Sequence, residues 1–211
     1  MVDGDRVTGI IVWESAGWYP AHRKYLKTLF GSTIFEPWKK RFAMSVALYY
    51  IQNDVANPRP YFHWALVATE AASWQASFSL IYTFEIIRGS DANGLPGPWE
   101  TRFRGPNLGN SASFTTIVEF AQTDLDMDSI RRVIERHPAT DDGWRIRGPT
   151  GWSCATWALY VMLTLEEMAI FDIPDTLTPE MLYDSILGEG YRIAMGNLPR
   201  AVMPVVQLGA H

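Results

Sequence analysis

From residue 76 to residue 87 the chain reads ASFSLIYTFEII, in which Phe78, Leu80, Tyr82, Phe84 and Ile86 alternate with Ser77, Ser79, Ile81, Thr83 and Glu85. A period of two does not fit a helix, whose side chains repeat every 3.6 residues; it calls for a strand with one apolar and one mixed face. Such a strand needs neighbours for its backbone and a second layer for its apolar face, so this segment commits the fold to a covered sheet. SFTTIVEFA, residues 113 to 121, alternates in the same way. AMSVALYYI, Ala43 to Ile51, and YFHWALVAT, residues 61 to 69, are rich in strand formers. The turn-forming NDVANPRP between them makes a hairpin the expectation, with a helix through Trp38, Phe42, Val46 and Tyr50 as the competing period.

Three segments carry helical signals. DLDMDSIRRVIERH, residues 124 to 137, offers Asp124 or Asp126 as cap and Met127, Ile130, Val133 and Ile134 as a buried stripe. GWSCATWALYVMLTLEEMAIF, residues 151 to 171, is the most apolar helix-like stretch, with Glu166 and Glu167 at its wet end. TPEMLYDSILGEG has Thr178 as cap, Pro179 at the first helical position and Gly188 or Gly190 as stop. VTGIIVW (Val7 to Trp13) and WRIR (residues 144 to 147) read as short strands, and AHRKYLKTLFG as a short helix ended by Gly31. Residues 89 to 112 contain SDANGLPGPW and GPNLGNS and read as one long loop around a short strand TRFR.

The expected fold is therefore α+β, an antiparallel sheet packed against helices. At 211 residues the chain fits one domain, with residues 1–42 as an arm, 43–171 as the core and 172–211 as a C-terminal helix and tail. Hydrophobic residues at 47% and charged residues at 19% are globular proportions. A net charge of -5 with interspersed signs argues against nucleic acid or anionic lipid as partner. The apolar run Trp152 to Leu165 falls short of the roughly 20 residues that span a bilayer. A single cysteine excludes an internal disulfide, and with no signal pattern at the N-terminus the cytosol is the expected compartment.

That cysteine, Cys154, follows Pro149, Thr150 and Gly151, which places it in the first turn of its helix, where unpaired N–H groups favour a thiolate. Packing is the competing role, since Trp157, Ala158, Val161 and Leu165 share its helix. A thiolate nucleophile needs a base, and only His22, His63, His137 and His211 are available. His63 lies within an apolar strand and needs a polar partner there, a backbone carbonyl or the thiol. The other histidines have no ligands at metal spacing beyond Asp141 and Asp142 after His137, so no metal is expected. No cofactor motif is present: GxGxxG, GxxxxGK[ST] and GxSxG are all missing.

The pair HWAL at 63 to 66 and GWSCATWALYVMLTLEEMAIF at 151 to 171 resembles an uncharacterised family of small fungal proteins with a His-Trp strand and a Gly-x-Cys-x-x-Trp helix. That arrangement is similar in turn to circularly permuted papain-like folds of the NlpC type, in which histidine precedes cysteine. The matching segments run from about Ala43 to Phe171. The resemblance implies a catalytic dyad, Cys154 as nucleophile and His63 as base. Ser153 stands where such enzymes often carry Asn. Gln75, which opens the next strand region, is the candidate for the polar group that orients the base.

Two chemistries compete on this scaffold. Nine Trp, nine Tyr and ten Phe, 13% of the chain, favour an aromatic-lined pocket for an apolar small molecule. Tyr61, Trp64, Gln75, Trp152, Ser153 and Trp157 are its expected binding residues. Such a pocket suits cyclisation or isomerisation of a polyketide or terpenoid in secondary metabolism, including a [4+2] cycloaddition, where positioning supplies most of the rate. This is the preferred expectation. The alternative is a thiol hydrolase or acyl transferase built on Cys154 and His63, and a binding protein without catalysis is the third.

Overall fold

The computed structural model describes residues 2–3, 6–7, 41–51, 61–70, 81–90, 93–104, 111–141, 143–146, 151–171, 173, 177–196 and 205–208. The chain divides into two compact units, Met1–Glu36 and Pro37–His211. The described part of the first is an antiparallel pair of two-residue strands, β1 (Val2–Asp3) and β2 (Arg6–Val7). The expected strand Val7 to Trp13 and the helix ended by Gly31 lie almost wholly outside the described residues.

The second unit is α+β. Five long strands form an antiparallel sheet: β3 (Phe42–Ile51), β4 (Tyr61–Glu70), β5 (Ile81–Ser90), β6 (Pro96–Arg104) and β7 (Phe114–Thr123). A short β8 (Val205–Gln207) adds parallel to β7, giving the order β6-β5-β4-β3-β7-β8. Three helices cover one face: α1 (Met127–Ile134), α2 (Cys154–Glu167) and α3 (Pro179–Met195). Among the described residues no helix is long and apolar enough to cross a membrane.

Alternation puts Phe62, Trp64 and Leu66 of β4 and Phe84 and Ile86 of β5 on the helix side, in one core with Trp157, Val161 and Leu165 of α2. Ala47, Val67, Ile81 and Ile117 form a smaller cluster on the opposite face, with Tyr49 and Phe114 packed against it. α2 is buried on nearly every side, which matches a helix apolar all round, and it lies over β4 and β5. Each fully buried aliphatic side chain there contributes about 1.5–3 kcal/mol.

Three local expectations are corrected. Residues 96–100, read as loop from their Gly and Pro content, join the expected short strand TRFR in nine-residue β6. Among the described residues it is the outermost strand, with one edge unpaired, so Pro96 and Pro98 are tolerated, while Arg102 and Arg104 face Glu85 and Thr83 of β5 in register. Trp144 to Ile146 carries no strand; Trp144 packs on Tyr160 and Arg145 pairs with Asp141 at 2.7 Å. α3 does not stop at Gly188 or Gly190 but runs to Met195. Gly190 serves close approach instead: a Cβ there would sit 2.7 Å from Leu48 Cδ1 and 3.2 Å from the Phe62 ring.

Candidate functional site

The site forms where two paired strands part. β4 and β5 are each ten residues long, yet they pair only from Leu66↔Phe84 to Thr69↔Ile81. Continuing that register would bring Trp64 opposite Ile86, but no pairing exists there. The Trp64 N–H instead donates to Cys154 Sγ at 3.4 Å, so the thiol occupies the position of a missing strand carbonyl.

Helix α2 delivers the sulfur to this gap. Gly151 takes a left-handed φ of 91°, which turns the chain into the helix at a cost only glycine avoids. Ser153 is the N-cap, accepting from the Thr156 N–H at 3.2 Å. Cys154 is thus the first helical residue, and it is buried. The N–H groups of Cys154 and Ala155 belong to the open first turn and donate to no described residue.

His63 approaches the same gap from β4. It shares the sheet face of Tyr49, its partner across β3, and the two rings stand 6.1 Å apart. Its Nε2 meets Glu85 Oε2 at 2.6 Å, a partner that the sequence alone did not reveal. Glu85 is nearly buried, with 5% of its side chain exposed, and its other oxygen, Oε1, accepts from Arg102 at 2.8 Å and Arg104 at 2.9 Å. One carboxylate therefore ties β4, β5 and β6 together at the mouth of the gap.

The electrostatics follow from this packing. Burial opposes charge on His63, but hydrogen bonding to Cys154 and to Glu85 outweighs it and raises the imidazole pKa from 6.5 to about 9. Burial likewise opposes ionisation of Glu85, and His63 with the two arginines overcomes it, holding the carboxyl below its usual range. The pair is an imidazolium–carboxylate ion pair at neutral pH. Burial, reinforced by Glu85, pushes the Tyr49 hydroxyl far above the ordinary tyrosine range, so it stays protonated and can donate. Burial raises the hydroxyl pKa values of Tyr61 and Tyr183, with a smaller contribution from Cys154 at Tyr61 and from Tyr191, Asp184 and Cys154 at Tyr183.

The remaining expected site residues are scattered. Tyr61 is half exposed at the start of β4, while Trp64 is buried and stacks on Tyr183 at 5.4 Å. Trp157 is fully buried in the core. Trp152 donates its indole N–H to the Ala139 carbonyl at 2.6 Å. Gln75 lies outside the described residues. A cleft of about 200 Å³ opens on the sheet face opposite the helices, lined by Tyr49, His63, Glu85, Arg102, Arg104 and Ser113 among others. None of Trp64, Trp152 and Trp157 lines it.

Among the described residues no cluster of His, Cys, Asp and Glu could hold a metal ion. Comparison with protein-family models, with curated proteins and with solved structures finds no match to this chain. What the site can do rests on its own geometry: a sulfur at a helix start, an imidazole beside it and a carboxylate behind the imidazole. That order is the one an activated thiol requires.

Proposed function

We propose that the chain is a cysteine-dependent acyl hydrolase or acyl transferase, with a scaffold related to permuted papain-like enzymes. The observation that carries this reading is the Glu85–His63 contact of 2.6 Å beside the Cys154 sulfur. A histidine that only filled space in a strand would not require a nearly buried carboxylate held by two arginines. With Nε2 committed to Glu85, Nδ1 is the nitrogen left for the thiol, and Glu85 fixes the orientation of the ring.

In this reading the Cys154 thiolate attacks the acyl carbon, and the carbonyl oxygen gathers negative charge toward the open N–H groups of the first turn of α2. His63 gives its proton to the leaving group as the bond to the acyl carbon breaks, leaving a thioester on Cys154. His63, now neutral, takes a proton from water or from an acceptor alcohol or amine. The new nucleophile attacks the thioester, releases the acyl product and restores the thiolate and the imidazolium.

A second reading keeps the scaffold and uses the aromatic surroundings of the sulfur, Tyr61, Trp64 and Tyr183, to fold an apolar metabolite for cyclisation or isomerisation. One experiment separates the two. Activated esters such as p-nitrophenyl acetate should give a burst of one nitrophenolate per chain and an acyl adduct on Cys154 by mass spectrometry. Cys154→Ala should abolish both while its circular dichroism is unchanged. A burst that survives in Cys154→Ala, or no adduct with any activated ester, would overturn the thiol reading.

A further inference from the structure

The cleft beside His63 carries a surplus of positive charge that acyl transfer by itself does not need. Arg102 and Arg104 bring two positive charges to it, and Glu85 is the one carboxylate in its lining. Both guanidinium groups converge on a single oxygen, Glu85 Oε1, through Arg102 Nε and Nη2 at 2.8 Å and Arg104 Nε at 2.9 Å. Each guanidinium has five N–H donors, so, counting partners among the described residues, most remain for another acceptor. Their side chains are 39% and 55% exposed, open to an incoming ligand. Ser111 and Ser113, whose hydroxyls bond each other at 2.7 Å, add neutral donors to the same cleft. This concentration of unspent cationic donors sits in a chain of net charge -5.

We propose that the cleft binds the oxyanion head, a carboxylate or a phosphate, of the substrate, with Arg102 and Arg104 as counter-charges and Ser111 and Ser113 as hydroxyl donors. A volume of about 200 Å³ suits such a head and a short arm. It falls below the roughly 300–1,000 Å³ of sites for larger organic ligands. Cys154 does not itself line the cleft; His63 does, and its ring also interacts with the thiol, so the imidazole is what links a bound oxyanion to the sulfur. The substrate is then an acyl compound with a negatively charged group close to its reactive carbonyl. Only the acyl part rests on the nucleophile reading; the oxyanion site rests on the cleft.

The lone cysteine supplies the test, because every alkylation event reports on Cys154. Second-order rates with anionic iodoacetate and neutral iodoacetamide are measured at low salt on the full chain and on 2-mercaptoethanol as a free thiol. The iodoacetate-to-iodoacetamide ratio should exceed that of the free thiol by about fivefold, the factor one charge pair at ~4 Å supplies in water. Arg102→Gln or Arg104→Gln should cut the ratio to the free-thiol value, whereas Arg102→Lys should largely keep it. Inorganic phosphate should slow iodoacetate in preference to iodoacetamide. A ratio at or below the free-thiol value, unmoved by Arg102→Gln, overturns the proposal.

Calorimetric titration of inorganic phosphate into Cys154→Ser separates this idea from the nucleophile reading. Binding that disappears in the Arg102→Gln, Arg104→Gln double variant supports the oxyanion site, even if neither reagent labels the wild-type thiol. Ready labelling by both reagents with no phosphate binding refutes the oxyanion site and leaves the nucleophile reading standing.

Discussion

Glu85→Gln is the substitution that most directly probes the site. It keeps the shape of the side chain and its contact with His63 but removes the negative charge that the imidazolium faces. Raising the His63 pKa from 6.5 to about 9 corresponds to about 3 kcal/mol in favour of the charged ring. The side chain is 21% exposed, so solvent screening trims that value only modestly. Glu85 is one of two groups that outweigh burial, the thiol being the other, so its share is about 1–2 kcal/mol. The midpoint of His63 should therefore fall by about one pH unit or more in the variant. The measurement is an NMR titration of the imidazole C–H signals, assigned by comparison with His63→Gln. The sign for stability follows. Because the folded pKa is raised, the contribution of His63 is complete below pH 6.5 and is lost as pH rises toward about 9. Urea denaturation of the wild type should weaken across that window, and Glu85→Gln should flatten the slope. An identical midpoint in both proteins, or a wild-type midpoint near 6.5, would refute the coupling between His63 and Glu85. Repeating the pair in a Cys154→Ala background measures the share owed to the thiol.

Other consequences are simpler to check. Gly190→Ala should destabilise by about 1–3 kcal/mol, since its methyl would meet Leu48 and Phe62 in a close-packed core. Gly188→Ala, in the same helix with nothing within 4 Å of the new methyl, should instead stabilise by about 0.5–1 kcal/mol; equal effects in thermal melts would contradict the packing of α3 on β3 and β4. Ser153→Ala removes the cap of α2 and should cost about 1 kcal/mol by urea denaturation. A loss below a few tenths of a kcal/mol would mean that another group caps the helix that presents Cys154.

Much of the scaffold was legible because it depends on local pattern. The alternation at 76 to 87, of which residues 76–80 lie outside the described residues, and at 113 to 121 marks β5 and β7, and Asp126 and Thr178 cap α1 and α3 as their spacing implies. Cys154 falls in the first turn of α2, as its place after Gly151 suggested, with Ser153 as the cap. The failures share a cause. The first half of β6, before TRFR, reads as loop because Pro and Gly disfavour strands in general, and only an edge position makes them acceptable. Gly190 reads as a helix stop because its contact with Leu48, 142 residues earlier, is invisible in a local window.

Glu85 illustrates the same limit at the site. Its alternation with Phe84 and Ile86 places it on the mixed face of β5, yet nothing in that pattern says that β4 is the neighbour or that His63 stands on the same face. Local side-chain periodicity, capping chemistry and the single cysteine were enough to mark most of the long strands, the helix starts and a candidate nucleophile. Strand order, the parting of β4 from β5 and the convergence of His63, Glu85, Arg102 and Arg104 came from tertiary packing. These depend on contacts between distant segments, where burial and pairing of charges, summed over the whole sheet, decide which faces meet.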